Sequence, residues 1–408
     1  MIFFRTIANR FSALALTVPL ILFSGTAFGG WDFAGSVSAE ARVFLNDPAY
    51  PEQNDATLSP SIAVEPEFVY EWNHAHDRLT FIPFARLDAD DDNRSHFDLR
   101  EANWLHIGEG WDFVAGVSKV FWGVTESRHL VDIINQTDAV ENIDGEDKLG
   151  QPMINFNLIR DWGTLGVFVL PGFRERTFAD DDARLRGPLA IDVDNARYES
   201  SRKERHIDAA LRWRHTVGDW DIGLAHFVGT SREPRLIQTI SNGRIVFIPY
   251  YDLIDQTSLD LQLTAEAMLW KFEAITRGGQ GRRFAAAVAG LEYTLYGIVG
   301  SAADLGFLFE YLYDDRDITA APPTFADDDV FLGARLALNN AQDTTFLAGV
   351  IIDRHSQESL LSIETEHRIN NNWKFEVEGR FFLNVPDNSL NAGFRDDDHL
   401  TLRISRYF

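Results

Sequence analysis

The chain has 408 residues, 45% hydrophobic and 24% charged, with 62 acids against 37 Lys and Arg, a formal net charge of −25 and no cysteine. That balance excludes a disulfide scaffold and argues against a nucleic-acid partner, which needs a cationic surface. After the N-terminus no window approaches 18 uncharged apolar residues, so helical membrane spans are excluded as well.

In chain order, Arg5 and Arg10 precede an apolar run from Phe11 to Phe23, followed by the small residues Ala27 and Gly29. This pattern predicts a signal peptide over 1–29 and export of the remainder, 30–408. From Trp31 to Leu45 the odd positions are apolar (Trp31, Phe33, Val37, Val43) and the even ones polar (Asp32, Ser36, Ser38, Glu40, Arg42). Only a two-residue period separates them. The same alternation recurs at Leu58 to Trp72, around Leu211, through Leu259 to Ala267, through Leu305 to Tyr313 and at Trp373 to Phe381. Pro60 and Pro66 mark an irregular or weakly paired place in the second of these. The segments run to roughly 9 to 11 residues or more, the length a membrane-crossing strand requires, where strands of soluble proteins have about 5 or 6.

Short connections with turn chemistry (73–77, 108–110, 160–161, 216–219, 339–343 and 370–372) alternate with long acidic ones. Counting one strand per segment predicts an all-β, transmembrane antiparallel barrel of 18 strands, with 16 the alternative because 153–170 and 284–295 are weakly patterned. Tryptophan supplies the orientation. Trp31, Trp111, Trp162, Trp220, Trp270 and Trp373 open strands, and Trp72, Trp104 and Trp213 close strands that run into short turns. Nine tryptophans at one rim read as an interfacial girdle, because the ring is apolar and its N–H polar. Short turns then face the periplasm and long loops the outside.

Trp122, the tenth, shares parity with Asp112 and Ser118 and is expected to point inward; Lys119 falls outward, where a bulge or a place near the rim would relieve the cost. The loop from Gly123 to Pro152 carries Leu130, Val131, Ile133 and Ile134, too apolar to lie in water, and the dry place available is the inner wall. A packed surface loop with ordinary turn acids is the other reading. The "WG" at Trp122 and Gly123, the "LVDIIN" that follows and the nearby Asp138 resemble the most recognisable stretch of a porin-like family of Gram-negative outer-membrane barrels, mostly of undescribed function and similar in appearance to phosphate-selective and alginate-export porins. Gln136 stands where that family's pattern leads one to expect proline. The resemblance implies that Trp122, Gly123, Asp132, Asn135 and Asp138 line or brace a constriction, with Arg128 beside them.

Parity turns charges of both signs inward, among them Glu40, Arg42, Glu67, Arg86, Arg100, Arg212, Arg214, Lys271, Glu273, Arg335, Glu376, Arg380 and Arg403. The interior is therefore expected to be wet and pore-lining. Segregated charges would set up a transverse field; interleaved ones would form neutralising ladders. Four loops carry three consecutive aspartates, with Asp90, Asp91 and Asp92 the candidates for Ca2+ or Mg2+ near lipopolysaccharide, against a plain solubilising role. Otherwise no cofactor is expected. The loop from Gly172 to Arg205 is arginine-rich and able to gather anions.

The last residues, "HLTLRISRYF", alternate and end on Phe408. This resembles the C-terminal signature of bacterial outer-membrane barrels, which implies recognition by the barrel-assembly machinery. The 11 histidines are scattered and no G-x-S-x-G occurs, so no enzyme is expected. The sequence thus predicts an outer-membrane channel for small hydrophilic or charged solutes, with a structural or loop-binding barrel lacking an open pore as the alternative. It leaves monomer or trimer open.

Overall fold

Every strand of the barrel is antiparallel to the one before it, and the closure is made by the chain's two ends. In the computed structural model, which describes residues 30–241 and 243–408, eighteen strands form one sheet from Trp31–Phe44 to His399–Tyr407. The last strand pairs with the first from Ser36↔Tyr407 to Phe44↔His399. Phe408 and Gly35 then exchange amide and carbonyl at 3.1 and 3.2 Å. Closure leaves no edge and satisfies each strand's backbone groups from both sides, the condition for a sheet in hydrocarbon. The fold is a closed 18-stranded antiparallel β-barrel. The expected signal peptide lies outside the described residues.

Strand lengths run from 8 residues at Trp111–Ser118 to 15 at Leu58–Trp72. Side chains alternate as the sequence implies, Phe33, Phe81, Leu211, Leu224 and Phe307 standing exposed on the outer surface while Phe84, Arg86, Asp208, Glu273 and Leu308 are buried within. The weakly patterned segments are both strands, Gln151–Arg160 with Gly163–Pro171, and Phe284–Leu295. Proline does interrupt pairing. Between Val64↔Ala85 and Phe68↔Phe81 the ladder lapses where Pro66 and Pro83 fall, and the next pair shifts register between Ile82 and Pro83. Neither proline has an N–H to give.

The short connections gather at one end. At 73–76 the turn carries Asn73, His74 and Ala75 at φ of 53, 57 and 63°, left-handed positions that asparagine tolerates best. Eight of the nine rim tryptophans lie in strands close to this end; Trp162 sits in the turn itself, ahead of the strand Gly163–Pro171. Outside the barrel, at the opposite end, a hairpin of Arg235–Ser241 and Arg244–Tyr251 joins Arg197–Tyr198 in a three-stranded sheet. Alternation did not single it out.

Candidate functional site

The strand that begins at Trp111 ends at Ser118, and the segment from Lys119 to Gly150 leaves the wall before Gln151 rejoins it. Lys119 is exposed just past the strand end. The middle of the segment is apolar and sits inside the barrel. Leu130, Val131, Ile133 and Ile134 pack in one buried cluster with the inward residues Met153, Phe168, Leu170, Phe227, Ile254, Ile275 and Leu308 of the wall, and Val131 and Ile134 retain no exposed surface. Burying each such side chain stabilises the arrangement by about 2 kcal/mol before ordering costs. Trp122 joins this cluster, edge-on to Phe168 with centroids 5.4 Å apart and with the Arg212 guanidinium 4.7 Å over its ring.

Polar residues of the motif hold the loop's own shape. Asn135 accepts from the Val120 amide at 2.9 Å and donates to the carbonyls of Ser118 and Leu149, both at 2.9 Å, so one side chain clasps the loop's beginning to its end. Asp132 accepts from the Trp122 amide at 3.3 Å and faces Lys148 Nζ at 3.3 Å; burial raises its carboxyl above the usual range. A Cβ at Gly123 would come within 2.9 Å of His129 Nδ1 and 3.1 Å of Glu273 Oε1, so glycine is what the approach permits.

Two wall carboxylates fasten the loop's first turn. Glu273 Oε1 accepts from the amides of Val124 (2.7 Å) and Thr125 (3.1 Å) and from the Thr125 hydroxyl (2.8 Å), while Oε2 accepts from Val131 N at 3.2 Å. Glu310 accepts from the amides of Glu126 and Ser127 at 2.7 and 2.8 Å and from the Ser127 hydroxyl. His129 lies between Glu146 (3.1 Å from Nε2) and Glu273 (3.9 Å from Nδ1). Burial alone would lower its pKa, but the two carboxylates more than offset this and push it up to about 10.

The loop's second half is fastened to the other side of the barrel by charge. Arg86 holds Glu141 through Nε and Nη2, with Nη2 2.7 Å from Oε2, Arg42 donates to the Glu141 carbonyl, and Arg94 donates to the Val140 carbonyl at 3.0 Å. Arg100 and His96 reach Asp138 at 2.7 and 3.3 Å. Burial works against ionisation of Asp138, yet the His96 hydrogen bond and the Arg100 charge hold its pKa down at about 2. Arg380 meets Asp144 at 3.1 Å. At the hub, Glu40 lies 2.5 Å from Arg94 and 2.9 Å from Arg403.

The expected pore-lining residues therefore divide. Glu40, Arg42, Arg86, Arg100, Glu273 and Arg380 are buried parts of the loop's seat, and Arg335 and Lys271 meet Glu126 at 2.7 and 3.5 Å. Glu67 and Glu376 stay part-exposed on the inward face, and Arg214 is exposed. Arg94 and Glu141 escaped sequence reading because both lie in loops, where no period marks them.

A second segment, between Pro171 and Ile207, ties the first loop to the seam of the barrel. The Gln136 amide donates to the Arg174 carbonyl (3.1 Å) and the Thr177 hydroxyl to Asp138 (2.8 Å); farther on, Arg184 pairs with Asp397 at 2.9 Å. Gln136, where proline was expected, thus makes a bond between loops. Arg174 is also spent, at 2.7 Å from Asp98.

Among the described residues, His96, Asp138 and Glu141 bring ligand atoms within 4.8 Å of one another. Their carboxylates already hold Arg100 and Arg86, so a cation there would face two guanidinium groups. At the aspartate run, Asp91 Oδ1 accepts the amides of Asn93, Arg94 and Asp180, and Asp90 accepts from Asn54.

In fold, a closed antiparallel β-barrel, the chain is similar to solved structures of outer-membrane proteins. One is Wzi of Escherichia coli, described as an outer-membrane protein involved in group 1 capsule assembly and a carbohydrate-binding β-barrel, at 8% identity and a TM-score of 0.51 over 90% of this chain and 83% of Wzi. OprB of Pseudomonas putida aligns at 10% identity and 0.46 over 93% and 94%. An Rh. blastica porin variant aligns at 10% and 0.43 over 93% and 100%. No protein-family model and no curated protein matches the chain.

Proposed function

We propose that the chain is an outer-membrane channel through which small hydrophilic or charged solutes diffuse, narrowed by its own segment 119–150. The observation that carries this reading is the combination of a closed barrel, oily outside and charged within, with a loop seated on opposite inner walls, which leaves passage to the space beside the loop. Selectivity then belongs to the part-exposed inward charges and to the groups at the loop mouth. The long loops face outside and the short turns the periplasm; export follows the N-terminal segment, Phe408 is the signal read by the assembly machinery, and the aspartate runs meet lipopolysaccharide, with or without Ca2+ or Mg2+. The reading assigns no catalysis.

One observation favours a second reading, a binding barrel with no through-passage: the loop is anchored at both walls, and the segment from 172 to 206 adds a further tie to the seam at Asp397. Refolded protein in a planar bilayer separates the two. Discrete conductance steps, with a reversal potential in a salt gradient, are expected from the channel, and silence at all voltages would leave the binding barrel.

A further inference from the structure

Four guanidinium groups gather where the loop mouth meets the upper ends of the strands Trp220–Thr230, Met268–Gly278 and Asp304–Asp314, and among the described residues two carboxylates, Glu233 and Asp314, answer them. Glu233 Oε2 accepts from Arg277 Nη1 at 2.7 Å and from Arg316 Nη1 at 3.1 Å. Asp314 is occupied by Arg316, which donates to it from Nε at 2.9 Å and from Nη2 at 2.7 Å. Arg128 is then left with the Ala326 carbonyl at 3.0 Å and a 3.4 Å approach to Asp314. Arg176 has less still. Its Nε is buried without a hydrogen-bond partner, and its guanidinium lies 6.0 Å from the centre of the Phe178 ring.

Arg128 feels the neighbouring cations. Burial lowers the pKa of Arg128, and the neighbouring Arg316 and Arg277 lower it further; burial does the same at Arg176, with the Glu233 charge acting against it. Arginine has no means of shedding its proton at ordinary pH, so the cluster keeps a surplus of positive charge that an anion would offset. Glu233 shows where there is room for one. Its two arginine partners are 4% and 1% exposed, yet its own side chain keeps 35% of its surface open, and its Oε1 accepts no hydrogen bond among the described residues.

We infer that this cluster is an oxyanion site: a carboxylate or phosphate group of a solute enters the open space beside Glu233, is received by Arg176 and Arg128, and competes with the Glu233 carboxylate for Arg277 and Arg316. Planar guanidinium forks suit both oxyanions. Glu233 is the internal stand-in that holds the arginines in place when no solute is bound. The inference deepens the channel reading by naming the charge of the solute, and it rests on that reading only for the route of entry.

Binding is measured on the refolded barrel in detergent by titration calorimetry, with no membrane, so failure of the site and failure of conduction are told apart. Glucuronate and inorganic phosphate are the two probes and glucose the neutral control. Wild-type protein is expected to bind at least one oxyanion and not glucose; binding of one probe alone identifies the favoured group. Arg176→Gln should weaken that binding roughly tenfold, the loss of a charged hydrogen bond, and Glu233→Gln should tighten it by a similar factor. Arg368→Gln, exposed at the short-turn end of the barrel where it pairs with Asp343, should leave it unchanged, and heat-modifiable gel mobility verifies that each variant is a folded barrel. No binding by wild type or Glu233→Gln, equal binding of glucose, or affinity indifferent to Arg176→Gln in a folded barrel would overturn the inference.

Discussion

The loop inside the barrel has two seats made of different physics. Its first half, from Trp122 to Ile134, rests on apolar wall residues, with Glu273 and Glu310 taking the amides the wall would otherwise leave unpaired. Its second half, from Asp138 to Asp144, is held by buried arginines on the far side. Apolar burial is insensitive to pH and strengthened by excluded salts, whereas a buried ion pair is weak as net stabilisation but costly to break by halves. One seat fixes the loop's first half and the other places its tip, and each carries a titratable group, His129 in the first and Asp138 in the second.

The largest effect is expected from removing the ionic seat together with the end of the apolar one. Deleting Asp132 to Glu146 should raise single-channel conductance several-fold, and an unchanged value would show that the loop does not restrict the passage. Next, Val131→Asp attacks the apolar seat alone by placing a second carboxylate beside Glu273, an unpaired buried charge that costs several kcal/mol; conductance should approach that of the deletion with the barrel still heat-modifiable on gels. Arg86→Gln attacks the ionic seat alone. Breaking that buried pair costs about 3 to 5 kcal/mol of anchorage, and because the apolar seat remains, the expected readout is increased open-channel noise with a small change in mean conductance. Asn135→Ala removes the clasp between the loop ends at about 1 to 3 kcal/mol, visible as faster amide exchange over 119–150.

Titration gives the smallest effect and divides the seats by sign. Asp138 has its pKa depressed to about 2, so its contribution is present above the unfolded value near 3.8 and is lost as pH falls through 2. His129 is raised to about 10; its contribution is complete below about 6.5 and fades as pH climbs through 10. Noise recorded against pH should therefore rise below about 4 with Arg100→Gln, which removes the partner of Asp138, already at the acid level, and above about 8 with His129→Gln already at the alkaline one. A flat profile would mean that neither group holds the loop.

Much of the wall was legible because strand periodicity is a local property: each residue's side is fixed by its neighbours, as Leu402 and Ile404 outside and Thr401 and Ser405 inside still show at the last strand. The bulge beside Pro83, by contrast, shifts register where parity counting from either end gives no warning. Within the motif, the residue types Trp, Gly, Asp and Asn were readable, but their work was not. Asn135 clasps loop ends at 118 and 149, and Asp138 binds arginine and histidine about 40 positions away, pairings that no spacing encodes.

By itself, then, the sequence determined a barrel wall, its wet and oily faces and the end that carries the short turns, because alternation and turn chemistry act over a few residues. Tertiary structure alone decided that Glu273 and Arg86 serve as loop anchors more than as a bare lining, and that Arg128 and Arg176 from two loops meet near Glu233 from a third. Such convergences arise only when closure of the cylinder brings distant segments into one low-dielectric space, where every buried charge needs a partner supplied from elsewhere in the chain.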